Sequence, residues 1–188
     1  MKKYCLTDLD NSVLDFAPHF EEWASKSGYE IRRGVINQSY NLQDMFCDSS
    51  IVIEKVLETF FACDHTMSNF PALADTIEPM QRLHERGYDF VGISACNPRE
   101  RLAELRHDNL TKLLGFEFEE VFITGYDLPK ATILKNYEPT YWVEDIKHHA
   151  EEGARLGHTV FLVDHPYNKG EGPFTRVKNW QEIESIIK

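Results

Sequence analysis

Apolar and polar positions divide the chain into two regimes. A short apolar strand pattern covers Lys3 to Leu9 and is followed, from Asp15 to about Ala74, by helical and irregular stretches. Phe16, Phe20 and Trp23 fall at helical spacing with Glu21 and Glu22 on another face, and Gly28 marks a stop. Tyr29 to Ser50 is mixed and polar. Ile51 to Phe61 reads as a helix with Ser49 or Ser50 available as its cap. From Asp75 the pattern is regular. Helices are predicted around Ile77–Leu83, from Pro98 to Gly115 with a polar break at His107–Asn109, from Pro129 to Leu134, from His149 to Leu156, and after the cap Asn179. Strands are predicted at Asp89–Ser94, Glu119–Thr124, Tyr141–Val143 and Thr159–Val163.

Strands alternating with helices imply right-handed crossovers and a mostly parallel sheet with helices on both faces, a three-layer α/β fold. The stretch after the first strand is too long for a connection within such a core, so an inserted helical subdomain is expected at 15–74, with the core formed by 1–14 and 75–188. The insertion carries nine aromatic residues, Tyr40 among them. Most are expected to build its core, and a few to line a pocket above the first strand end.

Composition narrows the partners. With 42% hydrophobic residues in 188, the chain can bury a sizeable core. A net charge of -11 argues against binding extended nucleic acid through many phosphates, yet leaves a small phosphorylated substrate open, because a local cation can reverse the field. No apolar run approaches the roughly 20 residues of a membrane span, and the apolar run near Met1 is too short for a signal peptide. Cys5, Cys47, Cys63 and Cys96 are scattered, with no C-x-x-C pair, which fits a reduced, cytoplasmic chain.

Asp8-Leu9-Asp10 is the first candidate for chemistry. Alone, such a pair is most simply an acidic surface turn. On a strand, however, period two puts both acids on one side, where repulsion calls for a divalent cation. In a parallel sheet, ligands gather beyond the carboxyl ends of the strands. Ser94, Thr124 and Glu144-Asp145 also follow apparent strand ends, and Lys130 opens a helix after the third strand. Carboxylates, a hydroxyl and an ammonium at one sheet edge suit phosphoryl transfer through an attacking carboxylate. Neighbouring candidates fit less well. His148 and His149, adjacent on a helix, do not face one way; Asp164–Asn168 reads as a turn; Arg99 reads as a surface ion pair with Glu100 or Glu104. No glycine-rich nucleotide loop occurs.

In this order and spacing, Asp8-Leu9-Asp10-Asn11-Ser12, Val91-Gly92-Ile93-Ser94, Asp127-Leu128-Pro129-Lys130-Ala131 and Tyr141-Trp142-Val143-Glu144-Asp145 resemble the four motifs of the haloacid dehalogenase (HAD) superfamily of aspartate-nucleophile phosphatases. The resemblance covers nearly the whole chain. It implies a Rossmann-like HAD core with a helical cap inserted after the first strand, the cap being similar to that of 5'(3')-deoxyribonucleotidases. It also implies a Mg2+-dependent phosphomonoester hydrolase acting on a small phosphorylated metabolite such as a nucleoside monophosphate. Asp8 would be nucleophile and metal ligand, and Asp10 the general acid/base with its backbone carbonyl on the metal. Ser94 and Lys130 would hold the phosphoryl group, Asp145 would bind Mg2+, and Glu144 would support it. A phosphoacceptor switch and an inactive HAD-fold interaction module are the alternatives.

Overall fold

A parallel sheet grows outward in both directions from its first strand, β1 (Lys3–Thr7). In the computed structural model, which describes residues 2–188 apart from Tyr40, Asn97, Glu100 and Asp127, β1 pairs on one side with β2 (Tyr88–Ser94) and on the other with β4 (Tyr141–Glu144). β3 (Glu120–Ile123) flanks β2, while β5 (Thr159–Val163) and β6 (Thr175–Val177) extend beyond β4. The order is β3-β2-β1-β4-β5-β6 and every pairing is parallel. The order reverses between β1 and β4, and a crevice for a ligand opens at such a switch point.

Alternation along each strand sorts the apolar side chains onto two faces. Cys5, Phe90, Val143 and Phe161 face one way and Leu6, Val91, Trp142 and Leu162 the other. The first face is covered by α4 (Ile77–Glu85), α5 (Leu102–Leu114) and α8 (Trp180–Ile186), through Met80, Leu83, Leu110 and Trp180. The second is covered by α6 (Ala131–Leu134) and α7 (Lys147–Arg155), through Leu134 and Ala150. Among the described residues no helix is long and apolar enough to cross a membrane. The four cysteines are free thiols.

The stretch between β1 and α4 holds α1 (Phe16–Lys26), a 3-10 turn at Leu42–Met45, α2 (Ile53–Phe61) and the single turn α3 (Asp64–Met67). Phe60 is the hub of its aromatic cluster, with ring centroids 4.9 Å from Phe20, 5.2 Å from Trp23 and 5.8 Å from Phe16. These rings belong to the same apolar cluster as Met80, Leu83 and Trp180, so the stretch between β1 and α4 packs continuously with the α4/α5/α8 side of the sheet.

Several boundaries differ from the sequence reading for identifiable reasons. The helix after Pro98 starts only at Leu102, because Arg101 is left-handed (φ 68°) and cannot continue a helix upstream. Of the two partners read for Arg99, Glu100 lies outside the described residues and Glu104 pairs with Arg101, while Arg99 pairs with Asp64. The predicted polar break at His107–Asn109 is uninterrupted helix; His107 bonds the Phe118 carbonyl and Asn109 donates to the Phe70 carbonyl at 3.0 Å. Neither Ser49 nor Ser50 caps α2. Ser50 is spent on Asp48, whose Oδ1 accepts from the Ser50 amide and hydroxyl at 2.8 and 2.7 Å. Asn179 does cap the last helix, accepting from the Glu182 amide at 3.1 Å. Strand β6 is absent from the sequence reading.

Candidate active site

β1 ends at Thr7, but its pairing reaches one residue further, since the Asp8 amide donates to the Val143 carbonyl at 2.8 Å. The chain then turns. The Val13 and Leu14 amides both bond the Leu9 carbonyl, and Asn11 adopts a left-handed φ of 60°. Asp8 therefore keeps the direction imposed by the sheet, whereas Asp10 belongs to the turn. The strand periodicity that put both acids on one side stops between them, and their carboxylates meet different partners.

Asp8 joins a buried cluster. Lys130 Nζ lies 2.5 Å from Asp8 Oδ1 and 2.8 Å from Glu144 Oε2, with all three side chains at most 5% exposed. Glu144 Oε1 accepts from the Asp145 and Ile146 amides, each at 2.9 Å, at the start of α7. Asp145 Oδ2 accepts from the Tyr167 hydroxyl at 2.5 Å. One carboxylate oxygen from each of Asp8, Glu144 and Asp145 lies within 4.8 Å of the others. Three buried carboxyl groups thus face one ammonium, an excess of two negative charges once all three are ionised, and among the described residues no hydrogen-bond partner reaches the buried Asp8 Oδ2. Hard oxygen donors, that charge excess and the orphaned oxygen together fit a divalent cation such as Mg2+.

The electrostatics follow from this crowding. Burial pushes the Asp8 carboxyl up to about 7, with Lys130 opposing and Glu144 and Asp10 reinforcing the rise. Asp145 is raised well above the carboxylate range by burial and then by Asp8 and Glu144. Burial would raise Glu144 too, but Lys130 and His149 outweigh it and the net shift is downward. Burial alone would strip Lys130 of its proton; Asp8 and Glu144 hold the ammonium charged and move it upward.

Asp10 sits on the other side of the turn and is about 20% exposed. The Ser94 hydroxyl at the end of β2 donates to its Oδ2 at 2.9 Å, and Arg106 Nη2 donates to its Oδ1 at 2.9 Å. Arg106 is fully buried, and its guanidinium lies over the Phe70 ring at 4.3 Å. Between the two acids, Leu9 packs directly onto β2. A Cβ at Gly92 would come within 2.9 Å of Leu9 Cδ2, so the absence of a side chain there lets the turn sit close to the sheet.

The predicted residues Asp8, Lys130, Glu144 and Asp145 come together, and Ser94 reaches Asp10 rather than this cluster. Asp127, quoted in the Lys130 motif, lies outside the described residues. Three contributors escaped sequence reasoning. Arg106 immediately precedes an apparent polar break and carries no signal of its own. Tyr167 and Asn168 do form the turn expected for them, a 3-10 turn at Pro166–Asn168, but they also hold Asp145. Asn168 Nδ2 bonds the Asp145 carbonyl at 2.6 Å and the Val163 carbonyl at 2.7 Å. Asn11 Nδ2 donates to the Tyr167 hydroxyl at 3.2 Å, tying the first turn to this loop.

A cavity of about 720 Å3 opens over the cluster. Its floor includes Asp8, Asp10, Lys130 and Asp145, and its far wall comes from the stretch between β1 and α4, with Phe16, Ile36, Leu42, Ile53, Leu57 and Phe61. Of the described aromatic residues in that stretch, Phe16 and Phe61 line it; Tyr40 lies outside the described residues.

No protein-family model and no curated protein sequence matches the chain. Solved structures do. An L-2-haloacid dehalogenase from Xanthobacter autotrophicus with chloropropionic acid covalently bound superposes with a TM-score of 0.67 at 13% identity, over 99% of this chain and 98% of that one. A Bacillus subtilis protein described as a HAD hydrolase bound to magnesium gives 0.64 at 12% identity over 98% of both chains. D,D-heptose 1,7-bisphosphate phosphatase from Burkholderia thailandensis gives 0.54 at 14% identity, over 98% of this chain and 97% of that one. The likeness at these identities is one of fold, and it runs along nearly the full length of each. With its all-parallel sheet, its order of strands and these neighbours, the chain has the α/β fold of the HAD hydrolases.

Proposed function

We propose that the protein is a Mg2+-dependent phosphomonoester hydrolase that works through an aspartyl-phosphate on Asp8. The substrate would be a small phosphorylated metabolite, a nucleoside monophosphate being one example. The observation that carries this reading is the buried cluster of three carboxyl groups, Asp8, Glu144 and Asp145, with the Lys130 ammonium bonded to two of them. Mg2+, held by these carboxylates, would offset repulsion between the attacking carboxylate and a phosphate dianion. Displacement of a halide, the reaction named for some neighbours of this fold, brings no phosphate dianion to the cluster and needs no proton for its leaving group.

Each residue then has a task. Lys130 donates to Asp8 Oδ1 and favours the ionised carboxylate that would attack phosphorus. The ester P–O bond breaks, and the departing alkoxide takes a proton from the carboxylic-acid form of Asp10, which borders the cavity and must be protonated before this step. Asp10, now ionised, takes a proton from water as that water attacks the acyl phosphate, releasing phosphate and restoring Asp8. Ser94 has one hydroxyl proton, donated here to Asp10. Turning it to a phosphoryl oxygen would free Asp10 Oδ2 for proton transfer.

The test is phosphate release from a panel of nucleotides and sugar phosphates with Mg2+ and with a chelator, alongside halide release from 2-chloropropionate. Mg2+-dependent phosphate release abolished by Asp8→Asn is expected. Halide release without phosphate release would replace this reading with the dehalogenase one, and full activity in Asp8→Asn would sink the mechanism.

A further inference from the structure

The cavity over the cluster is charged at one end only. Its described acidic lining residues are Asp8, Asp10 and Asp145, all on the sheet edge, and its one lysine or arginine among the described residues, Lys130, is already bonded to both Asp8 and Glu144. The far wall is apolar, with Ile36, Leu57 and Phe61 buried and Leu42 and Ile53 half-buried. Among the described residues its polar members are Ser39 and Asn41, engaged next to a further negative charge. Ser39 Oγ donates to Asp44 Oδ2 at 2.8 Å, and Asn41 Nδ2 donates to Asp44 Oδ1 at 3.1 Å. His149, at the floor, is shifted toward its neutral form by burial.

From this we infer that, resting on the phosphatase reading, the site selects monophosphates whose leaving group is uncharged and largely apolar, and rejects those carrying a second phosphate or a carboxylate. A second anion would have to leave water for a wall with no cation to receive it and with Asp44 behind its polar groups. An uncharged aromatic or aliphatic alcohol meets a surface it can bury. Rejection by an unpaired charge needs no dedicated steric block. Leu42 and Ile53 are the specificity-determining positions easiest to test, because both face the cavity and neither is fully buried.

The experiment separates this selectivity from turnover. Binding of phenylphosphonate and of phosphonoacetate, which carry the same head group and differ in a ring or a carboxylate, is measured by calorimetry on the full chain with Mg2+. Phenylphosphonate is expected to bind about 30-fold more tightly or better, in keeping with a buried unpaired charge. Equal affinities, or a preference for phosphonoacetate, would overturn the inference. Ile53→Arg and Leu42→Arg, each checked for a native melting transition, are expected to reduce the ratio about tenfold by supplying the missing cation. An unchanged ratio in both variants would overturn the assignment to this wall. Phosphate release from phenyl phosphate is read separately. Selective binding without release would remove the phosphatase reading and leave the charge selection standing.

Discussion

Arg106 donates to Asp10 from 96 residues further along the chain, and it is the more deeply buried partner of the pair. Among the described residues its Nε and Nη1 have no hydrogen-bond partner, and its face rests on Phe70. Asp10 is therefore the principal counter-charge of a guanidinium with no access to water. Asp10→Ala is expected to lower stability by about 3 kcal/mol, because a buried charge is left without its partner. Asp10→Asn keeps an acceptor oxygen and should lose less. Urea unfolding of both variants checks the order, and a smaller loss in Asp10→Ala than in Asp10→Asn would contradict it.

Asp8 gives a pH prediction for the metal-free protein. Its carboxyl is raised to about 7 in the fold, whereas an unfolded chain titrates near 4. Between those values the native state holds a proton that the unfolded state has lost, so this group's contribution to stability falls as pH rises. Asparagine cannot titrate. The melting temperature of Asp8→Asn minus that of the wild type should rise from pH 5 to pH 8 in the presence of chelator. Taking the difference removes the opposing effect of the buried histidines, and a flat difference would show that Asp8 ionises normally in the fold.

Metal addition should reverse that trend. Carboxylates must lose their protons to bind a cation, so the gain in melting temperature on adding Mg2+ is expected to be larger at pH 8 than at pH 5.5. At a Mg2+ concentration about 100 times its dissociation constant, the gain corresponds to roughly 2.7 kcal/mol. Asp145→Asn should remove most of it. A gain of the same size in that variant would place the cation elsewhere.

Gly92→Ala probes the packing beneath the two acids. The added methyl would meet Leu9 Cδ2 at 2.9 Å, the flexible end of a side chain, so a modest loss of about 1 kcal/mol is expected. Because Leu9 sits between Asp8 and Asp10, the turnover number should fall by more than that stability change suggests, at least tenfold. Thermal melts and steady-state kinetics on the same preparation separate the two effects.

The core was legible wherever one element carried its own pattern. β2 and β5 are nearly continuous apolar runs, as strands buried on both faces must be, and α4 and α8 show helical spacing with a stop or a cap. The grouping of Asp8, Lys130, Glu144 and Asp145 at one sheet edge was legible because each follows a strand end or opens a helix. β6 was not, since three residues with only Val177 buried leave no periodicity to read. Arg106 was not, because an arginine in a helix is usually solvated, and only the tertiary contact with Asp10 shows otherwise. Tyr167 and Asn168 carry the signature of a turn, which they form. Their second task depends on where β5 delivers them beside β4, a relation no local window contains.

The last part of the chain holds the first part in place. The Trp180 indole donates to the Ser12 carbonyl at 2.8 Å, and Arg176 bonds Asn168, which in turn holds Asp145. During synthesis the strand bearing Asp8 emerges 122 residues ahead of Lys130 and 168 residues separate Ser12 from its anchor. β1 stays unpaired on one side until β4 has been made. The candidate site can consequently be complete only after Lys130, Asp145 and Trp180 have all been made, and chains interrupted before Trp180 would carry every acid of the site without the frame that aligns them.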